Sequence, residues 1–299
     1  MKLAAIDIGS NAARLLITEV VKDEKDNTVF NKLNLIRVPL RLGFDVFEYG
    51  IISKEKIGMI LQTMKAYKHF LNAYGVKSAN IIACATSAMR DARNATDIIR
   101  KIKLETDISI EVISGEMEAG LIYENHIAEN LSRDHSYLYI DVGGGSTEIS
   151  FFSNGKLSFK ESFNIGTIRL LKNMVKEKNW DDMKESIRGV TKGLKEKDVI
   201  AIGSGGNINK IFSMSSKKDG KPLSLDLLRD FYRDLGNLSL EERINTYALR
   251  PDRADVVVPA LLIYINAMRW SGAEEIYVPK IGLADGLIHH LWDKVGTNL

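Results

Sequence analysis

The sequence holds a single cysteine, Cys84, among 299 residues, so neither an intrachain disulfide nor a thiolate metal cluster can form. Cys84 lies inside Ile81-Ile82-Ala83-Cys84-Ala85, which reads as a buried strand with a core thiol. Proline is scarce, 5 residues against 23 glycines, which excludes Pro-rich and collagen-like chains. No hydrophobic run is long. The longest, residues 256–268, contains Pro259 and falls short of the roughly 20 residues that cross a bilayer. No membrane partner is expected. The first residues enter a strand-like run, Leu3-Ala4-Ala5-Ile6-Asp7, with no signal-peptide pattern, so a cytoplasmic location is expected. An excess of one charge is also missing: 41 Lys+Arg stand against 39 Asp+Glu. A dedicated nucleic-acid binder usually carries a clear basic excess, so no nucleic-acid partner is expected.

What is present is the stock of a folded globular protein, 45% hydrophobic and 27% charged, which excludes disorder as the main state. The length suits two domains of about 150 residues each. Alternating and β-branched segments at 3–8, 13–21 and 28–38 read as strands. Ser53 opens a helical pattern over 54–74 that Gly75 ends. A strand at 80–85, a helix at 95–104 capped by Asn94, a short strand at 110–113 and a helix from Gly115 to about Asn130 follow. The second half repeats the plan. Strands are expected at 137–142, 147–152, 156–164, 199–202 and 275–278. Helices are expected at 167–176, 180–194, from about Asn207, at 225–235, 254–270 and 283–295.

The repeat shows in the letters. Ile6-Asp7-Ile8-Gly9-Ser10-Asn11 and Ile140-Asp141-Val142-Gly143-Gly144-Gly145-Ser146 are each a strand, an Asp, a glycine turn and a returning strand. Two similar α/β domains facing each other across a cleft are expected. The first would span 1–124, onto which 284–299 can pack back, and the second 125–283.

A glycine turn after a strand lets backbone N–H groups approach an anion closely. Ser10, Asn11 and Ser146 add side-chain donors. An Asp at the strand end can hold Mg²⁺, which prefers oxygen ligands and phosphates. A third turn, Gly203-Ser204-Gly205-Gly206-Asn207, feeds a helix N-terminus, a further anion site. One Asp-x-Gly turn is an ordinary hairpin. Three such turns at strand ends point to phosphate.

In this order the segments resemble the exopolyphosphatase / guanosine pentaphosphate phosphohydrolase family. They are Ile6-Asp7-Ile8-Gly9-Ser10-Asn11 with Arg14-Leu15, Arg41-Leu42-Gly43, Ala85-Thr86-Ser87-Ala88-Met89-Arg90 with Asn94, Ile113-Ser114-Gly115-Glu116-Met117-Glu118-Ala119, Asp141-Val142-Gly143-Gly144-Gly145-Ser146-Thr147-Glu148 and Arg253-Ala254-Asp255-Val256. The resemblance runs from Ala5 to about Leu287. It implies duplicated ribonuclease-H-like domains of the actin and sugar-kinase superfamily. It also implies Mg²⁺-dependent release of the terminal phosphate of polyphosphate or guanosine pentaphosphate.

By that resemblance Glu118 is the catalytic base, and Asp141 and Glu148 hold the metal, with Asp7 reaching it through water. Gly9, Ser10, Asn11, Gly143, Gly144, Gly145, Ser146, Gly205 and Gly206 are expected to bind the phosphate chain. Arg90 is expected to contact substrate phosphate, and Arg14 and Arg253 a distal phosphate or nucleotide. Arg253 can equally pair with Asp252 or Asp255. Two departures stand out. Met117 replaces the first of two adjacent acids, and Gly282-Leu283-Ala284-Asp285-Gly286 lacks the family's Arg-Glu pair. Longer members carry C-terminal helical domains, which are not expected within these 299 residues.

A basic stretch, Arg169, Lys172, Lys176, Lys178, Lys184, Arg188, Lys192, Lys195 and Lys197, then Lys210, Lys217, Lys218 and Lys221, can steer a polyanion or be a solvated face. His69, His126, His135, His289 and His290 show no metal spacing. Tyr67, Phe70, Tyr74, Phe151 and Phe152 read as core. A homodimer is compatible with the apolar helix at 254–270, which core packing explains equally well. Two other functions fit the same letters: a non-catalytic sensor of polyphosphate or an alarmone, and an ATP-dependent small-molecule kinase.

Overall fold

The structure, a computed structural model, describes residues 1–123, 135–194 and 198–296. The chain divides into two compact units, Met1–Asn125 with Leu283–Leu299, and His126–Gly282.

The first unit is built on a five-stranded sheet. Its strands are β1 (Lys2–Ile8), β2 (Ala12–Lys22), β3 (Thr28–Pro39), β4 (Ile81–Ala85) and β5 (Glu111–Val112), in the order β3-β2-β1-β4-β5. β1 pairs antiparallel with β2 and β2 with β3, while β4 and β5 run parallel to β1. β1 is buried from Leu3 to Ile8, as a central strand covered on both faces requires. Helices α1 (Leu42–Tyr49), α2 (Lys54–Ala73), α3 (Ser87–Asp91), α4 (Ala95–Thr106) and α5 (Gly115–Tyr123) connect the strands. In α2, Ser53 caps the N-terminus by accepting from the Lys56 N–H, and Gly75 follows its end at φ 67°. Its buried stripe, Ile60, Met64, Tyr67 and Leu71, has the spacing of one helix face.

The second unit repeats the plan with β6 (Ser136–Val142), β7 (Thr147–Ser153) and β8 (Lys156–Phe163) as an antiparallel meander. There follow α6 (Thr167–Leu171), α7 (Glu177–Thr191), β9 (Val199–Ser204), α8 (Gly206–Met214), β10 (Leu223–Ser224), α9 (Leu225–Gly236), α10 (Leu240–Tyr247), α11 (Pro251–Ala254), α12 (Val257–Ser271) and β11 (Glu275–Tyr277). The sheet order is β10-β11-β9-β6-β7-β8, with β9 parallel to β6. Each unit thus sets a three-strand meander beside a parallel strand on the far side of its first strand, the ribonuclease-H-like arrangement. The fold is two duplicated α/β units. The last helix, α13 (Leu283–Val295), packs on β1, β2, β4 and α5 of the first unit, burying Leu283, Leu287, Ile288 and Leu291 with Leu3, Leu16 and Cys84.

Several expectations change. The apolar helix, for which a dimer surface and core packing served equally well, is α12, largely buried in the second unit's core, with Pro259 in its first turn where no intrahelical N–H is needed. Asn94 stands at the N-cap position of α4, but its side chain makes no cap hydrogen bond. Its side-chain amide instead clamps Ile52, accepting from the Ile52 N–H at 3.0 Å and donating to its carbonyl at 2.8 Å. Phe70 is 39% exposed rather than core. The helix expected at 167–176 stops at Leu171, and Asn173 follows at φ 54°. Of the helix expected to about Asn130, residues 124–130 lie outside the described residues, as do His126, Lys195 and Lys197. Among the described residues no helix is long and apolar enough to cross a membrane.

Candidate active site

In the first unit, the turn after β1 is held from outside. The Ser10 carbonyl accepts from Gly43 N–H, and the Asn11 carbonyl from the Leu40 and Arg41 N–H groups. A trans peptide points its carbonyl and the following N–H in opposite directions, so the Asn11 and Ala12 N–H groups point away from that support. Ser10 Oγ lies 2.7 Å from Ser87 Oγ at the start of α3. Arg90, on the same short helix, donates to the Ile113 carbonyl at 2.7 Å and sits 3.9 Å from Glu118 Oε2. Glu118 is buried while Glu116 and Met117 beside it are exposed. A one-residue step turns a helix by about 100°, so Glu116 does not replace the acid that Met117 displaces. Asp7 and Arg14, expected as separate groups, are partners: Arg14 Nη1 meets Asp7 Oδ2 at 2.6 Å.

The second unit presents the glycine turn. The carbonyls of Gly143, Gly144 and Gly145 accept from Thr167 N–H, Ile168 N–H and Arg169 Nε. By the same peptide geometry, the Gly144, Gly145 and Ser146 N–H groups point together away from the 166–169 segment, an anion nest. Gly166 is required there, because a Cβ would run into the Gly144 carbonyl. Asp141 and Glu148 are direct cross-strand partners on one sheet face, and Ser162 donates to Glu148 Oε1 at 2.7 Å. Ser204 is the partner of Asp141 on the other side. Gly205, at φ 99°, brings the third glycine turn close to Asp141: a Cβ there would lie 2.8 Å from Asp141 Oδ1. The Arg253 guanidinium covers Gly206 and donates to Asn207 Oδ1 at 3.0 Å.

Tyr264 completes this group. Its hydroxyl donates to the Ser204 carbonyl at 2.5 Å. Burial, and next the charge of Asp141, push its phenol well above the ordinary range, so it remains a donor. In the first unit, burial followed by the Asp7 and Glu118 charges raises the Cys84 thiol in the same way, and it is inert.

Two carboxylates side by side suit a hard divalent cation. Mg²⁺ is commonly held by one or two carboxylates and keeps waters for substrate oxygens. Among the described residues no group of three or more His, Cys, Asp or Glu side chains has metal-ligating geometry.

Residues 20–295 match the Ppx/GppA phosphatase family. The chain belongs to this family. Among relatives of the Ppx/GppA family is the bifunctional 3-dehydroquinate synthase/phosphatase of Fusobacterium nucleatum, 31% identical over 93% of this chain. The chain spans only 44% of that protein's length. Exopolyphosphatase 1 of Mycobacterium tuberculosis is 22% identical, over 96% of this chain and 87% of that one. An exopolyphosphatase from Cytophaga hutchinsonii has a solved structure that is 27% identical, covers 99% of each chain and superposes with a TM-score of 0.82. A Ppx/GppA member from Aquifex aeolicus, at 23% identity and a TM-score of 0.75, shares the fold.

Sequence reading missed Ser87, Ser162 and Tyr264, and it placed Arg169 only in the basic stretch, not against the glycine turn. Ser87 lies within a quoted segment. Tyr264 stands in an apolar helix and carries no signal of its own, since only the fold aims its hydroxyl at Ser204.

Proposed function

We propose that this chain is an exopolyphosphatase that hydrolyses the terminal phosphoanhydride of inorganic polyphosphate, with Glu118 as the base. The observation that carries the reading is Glu118 itself. It is a buried carboxylate at the head of α5, beside Arg90, in a phosphatase-family chain that an exopolyphosphatase matches over its whole length. Glu118 accepts a proton from the attacking water, so that hydroxide forms as the P–O bond breaks. Arg90 sets a positive charge 3.9 Å from Glu118 Oε2. Arg90 also offers its guanidinium to phosphate oxygen, and the Asn11 and Ala12 N–H groups add donors. The nest at residues 144–146 and Arg253 bind phosphate in the second unit.

Asp141 and Glu148 are the residues that would hold Mg²⁺, with Ser162 and Tyr264 orienting the groups around them. When bound, Mg²⁺ supplies charge neutralisation to phosphate oxygens. Guanosine pentaphosphate carries the same terminal bond and is the second substrate to test. The test is phosphate release from long-chain polyphosphate and from guanosine pentaphosphate, with Mg²⁺ and with chelator. Mg²⁺-dependent release from polyphosphate is expected. Faster release from guanosine pentaphosphate would move the assignment to the nucleotide. Binding of either without any release would replace the enzyme reading with that of a sensor.

A further inference from the structure

The two sheets carry the same row of positions with different charges. Asp7 pairs with residue 14 across the β1–β2 hairpin, and Asp141 with residue 148 across the β6–β7 hairpin. Both spacings are seven residues, both turns begin with glycine, and both Asp residues are the last but one in the first strand of their meander. In the second unit the opposite residue is Glu148, which leaves two carboxylates side by side. In the first unit it is Arg14, whose guanidinium meets the Asp7 carboxylate at 2.6 Å. The next strand continues the contrast. Arg37 on β3 is the cross-strand partner of Arg14, where Ser162 on β8 is the partner of Glu148. The row Asp7–Arg14–Arg37 thus sums to one positive charge, and the row Asp141–Glu148–Ser162 to two negative charges.

The Asp7 side chain is only 4% exposed, so its ionised form needs a counter-charge within reach. Arg14 supplies it. A guanidinium keeps its proton at every working pH, so this counter-charge is permanent. Bringing a divalent cation to Asp7 would set like charges together or expel Arg14 from its partner. In the second unit the row instead offers two neighbouring carboxylates, a donor set that a divalent cation accepts.

We infer that Arg14 is a built-in cation that takes the metal's place in the first unit, so that Asp7 orients Arg14 and ligates no divalent ion. Cation binding then belongs to the second unit. This sharpens the metal part of the function proposed above and departs from the water-bridged role that family resemblance implies for Asp7.

The experiment counts Mn²⁺, an EPR-visible substitute for Mg²⁺, bound to the full chain without substrate. One ion per chain is expected in the wild type. Asp7→Asn should leave both the count and the affinity unchanged. Asp141→Asn should weaken binding by at least about tenfold, the lower end of what even an outer-shell loss costs. Arg14→Glu rebuilds the second unit's row in the first and should gain a second ion, while Arg14→Lys should not. Circular dichroism confirms that each variant is folded. If Arg14→Glu fails to fold, Asp7→Asn still decides. Two ions in the wild type, or weakened binding in Asp7→Asn, would overturn the inference. So would a folded Arg14→Glu that gains nothing. A wild type that binds no Mn²⁺ would instead defeat the carboxylate-pair reading of the second unit and uphold an ion-free first unit.

Discussion

At the scale of single residues, the candidate site depends on backbone that only glycine allows. Gly205 has φ 99°, and a Cβ there would press on Asp141 Oδ1. Gly75 also has positive φ, but a Cβ there would meet open space. Gly75→Ala should therefore cost only the strain of its backbone, about 1 kcal/mol, whereas Gly205→Ala should cost more, about 2–4 kcal/mol, through strain and displacement of Asp141. Urea unfolding midpoints compare the two directly. Equal losses would show that Asp141 yields freely. The glycines and the Asp before each of the first two turns stand out in the letters, whereas Glu148 was a candidate only through the family resemblance. What was not legible is partnership. Asp7 and Arg14 sit seven residues apart, and only the antiparallel register of β1 and β2 makes them an ion pair.

Elements with long periodic patterns were read to within a residue or two, because burial of a strand face or helix stripe dictates the pattern itself. α13 at Leu283–Val295 and β3 from Thr28 are examples. The short strands β5 and β11 were also read, but several short helices were missed. α1 follows Arg41, which stands at φ 52° and makes no side-chain cap, so nothing in its letters announces a helix. α3 is five residues, too short for periodicity. α10 had a readable signal, the capping box of Ser239 and Glu242.

α1 matters because its entry segment supplies the N–H groups that hold the Ser10 and Asn11 carbonyls. One ion pair fastens it: Lys56 Nζ donates to Asp45 Oδ1 and to the Arg41 carbonyl, both at 2.6 Å, and Ser53 N–H donates to Asp45 Oδ2 at 3.0 Å. Burial opposes ionisation of Asp45, but the Lys56 and Ser53 hydrogen bonds outweigh it and lower its carboxyl below the ordinary 3.8. A lowered folded value stabilises the fold above the unfolded pKa, and that contribution is lost as pH falls through the folded value. Asp45→Asn should then destabilise by about 1–3 kcal/mol at pH 7, the worth of a charged hydrogen bond. The gap to wild type should close below about pH 4. Chemical denaturation at both pH values checks this, and a gap that persists in acid would assign the loss to packing.

At the scale of the whole molecule, the first unit is completed by residues distant in sequence. α13 covers Leu3, Leu16 and the chain's single thiol, and Lys32 on β3 ties to Asp285 on α13 at 2.5 Å. That pair occupies the segment where the family's Arg-Glu pair is absent, so Asp285 has a structural partner of its own. Leu287 is 1% exposed, and Leu287→Ala should cost about 2–5 kcal/mol. Because Cys84 is buried beneath α13, its labelling by a thiol reagent reports opening of the first unit. Labelling should accelerate strongly in Leu287→Ala, while Leu228→Ala, in the second unit's core, should leave the rate near wild type. Acceleration by both would mean that the units open together.

The most direct test of the functional account is phosphate release from polyphosphate by wild type and Glu118→Gln, side by side, with binding measured separately. Gln keeps the shape of Glu118 and removes its capacity to take a proton. The account predicts a rate lower by about 10²–10⁴-fold, the contribution of a positioned general base, with substrate affinity retained. A Glu118→Gln enzyme that releases phosphate at close to the wild-type rate would contradict it.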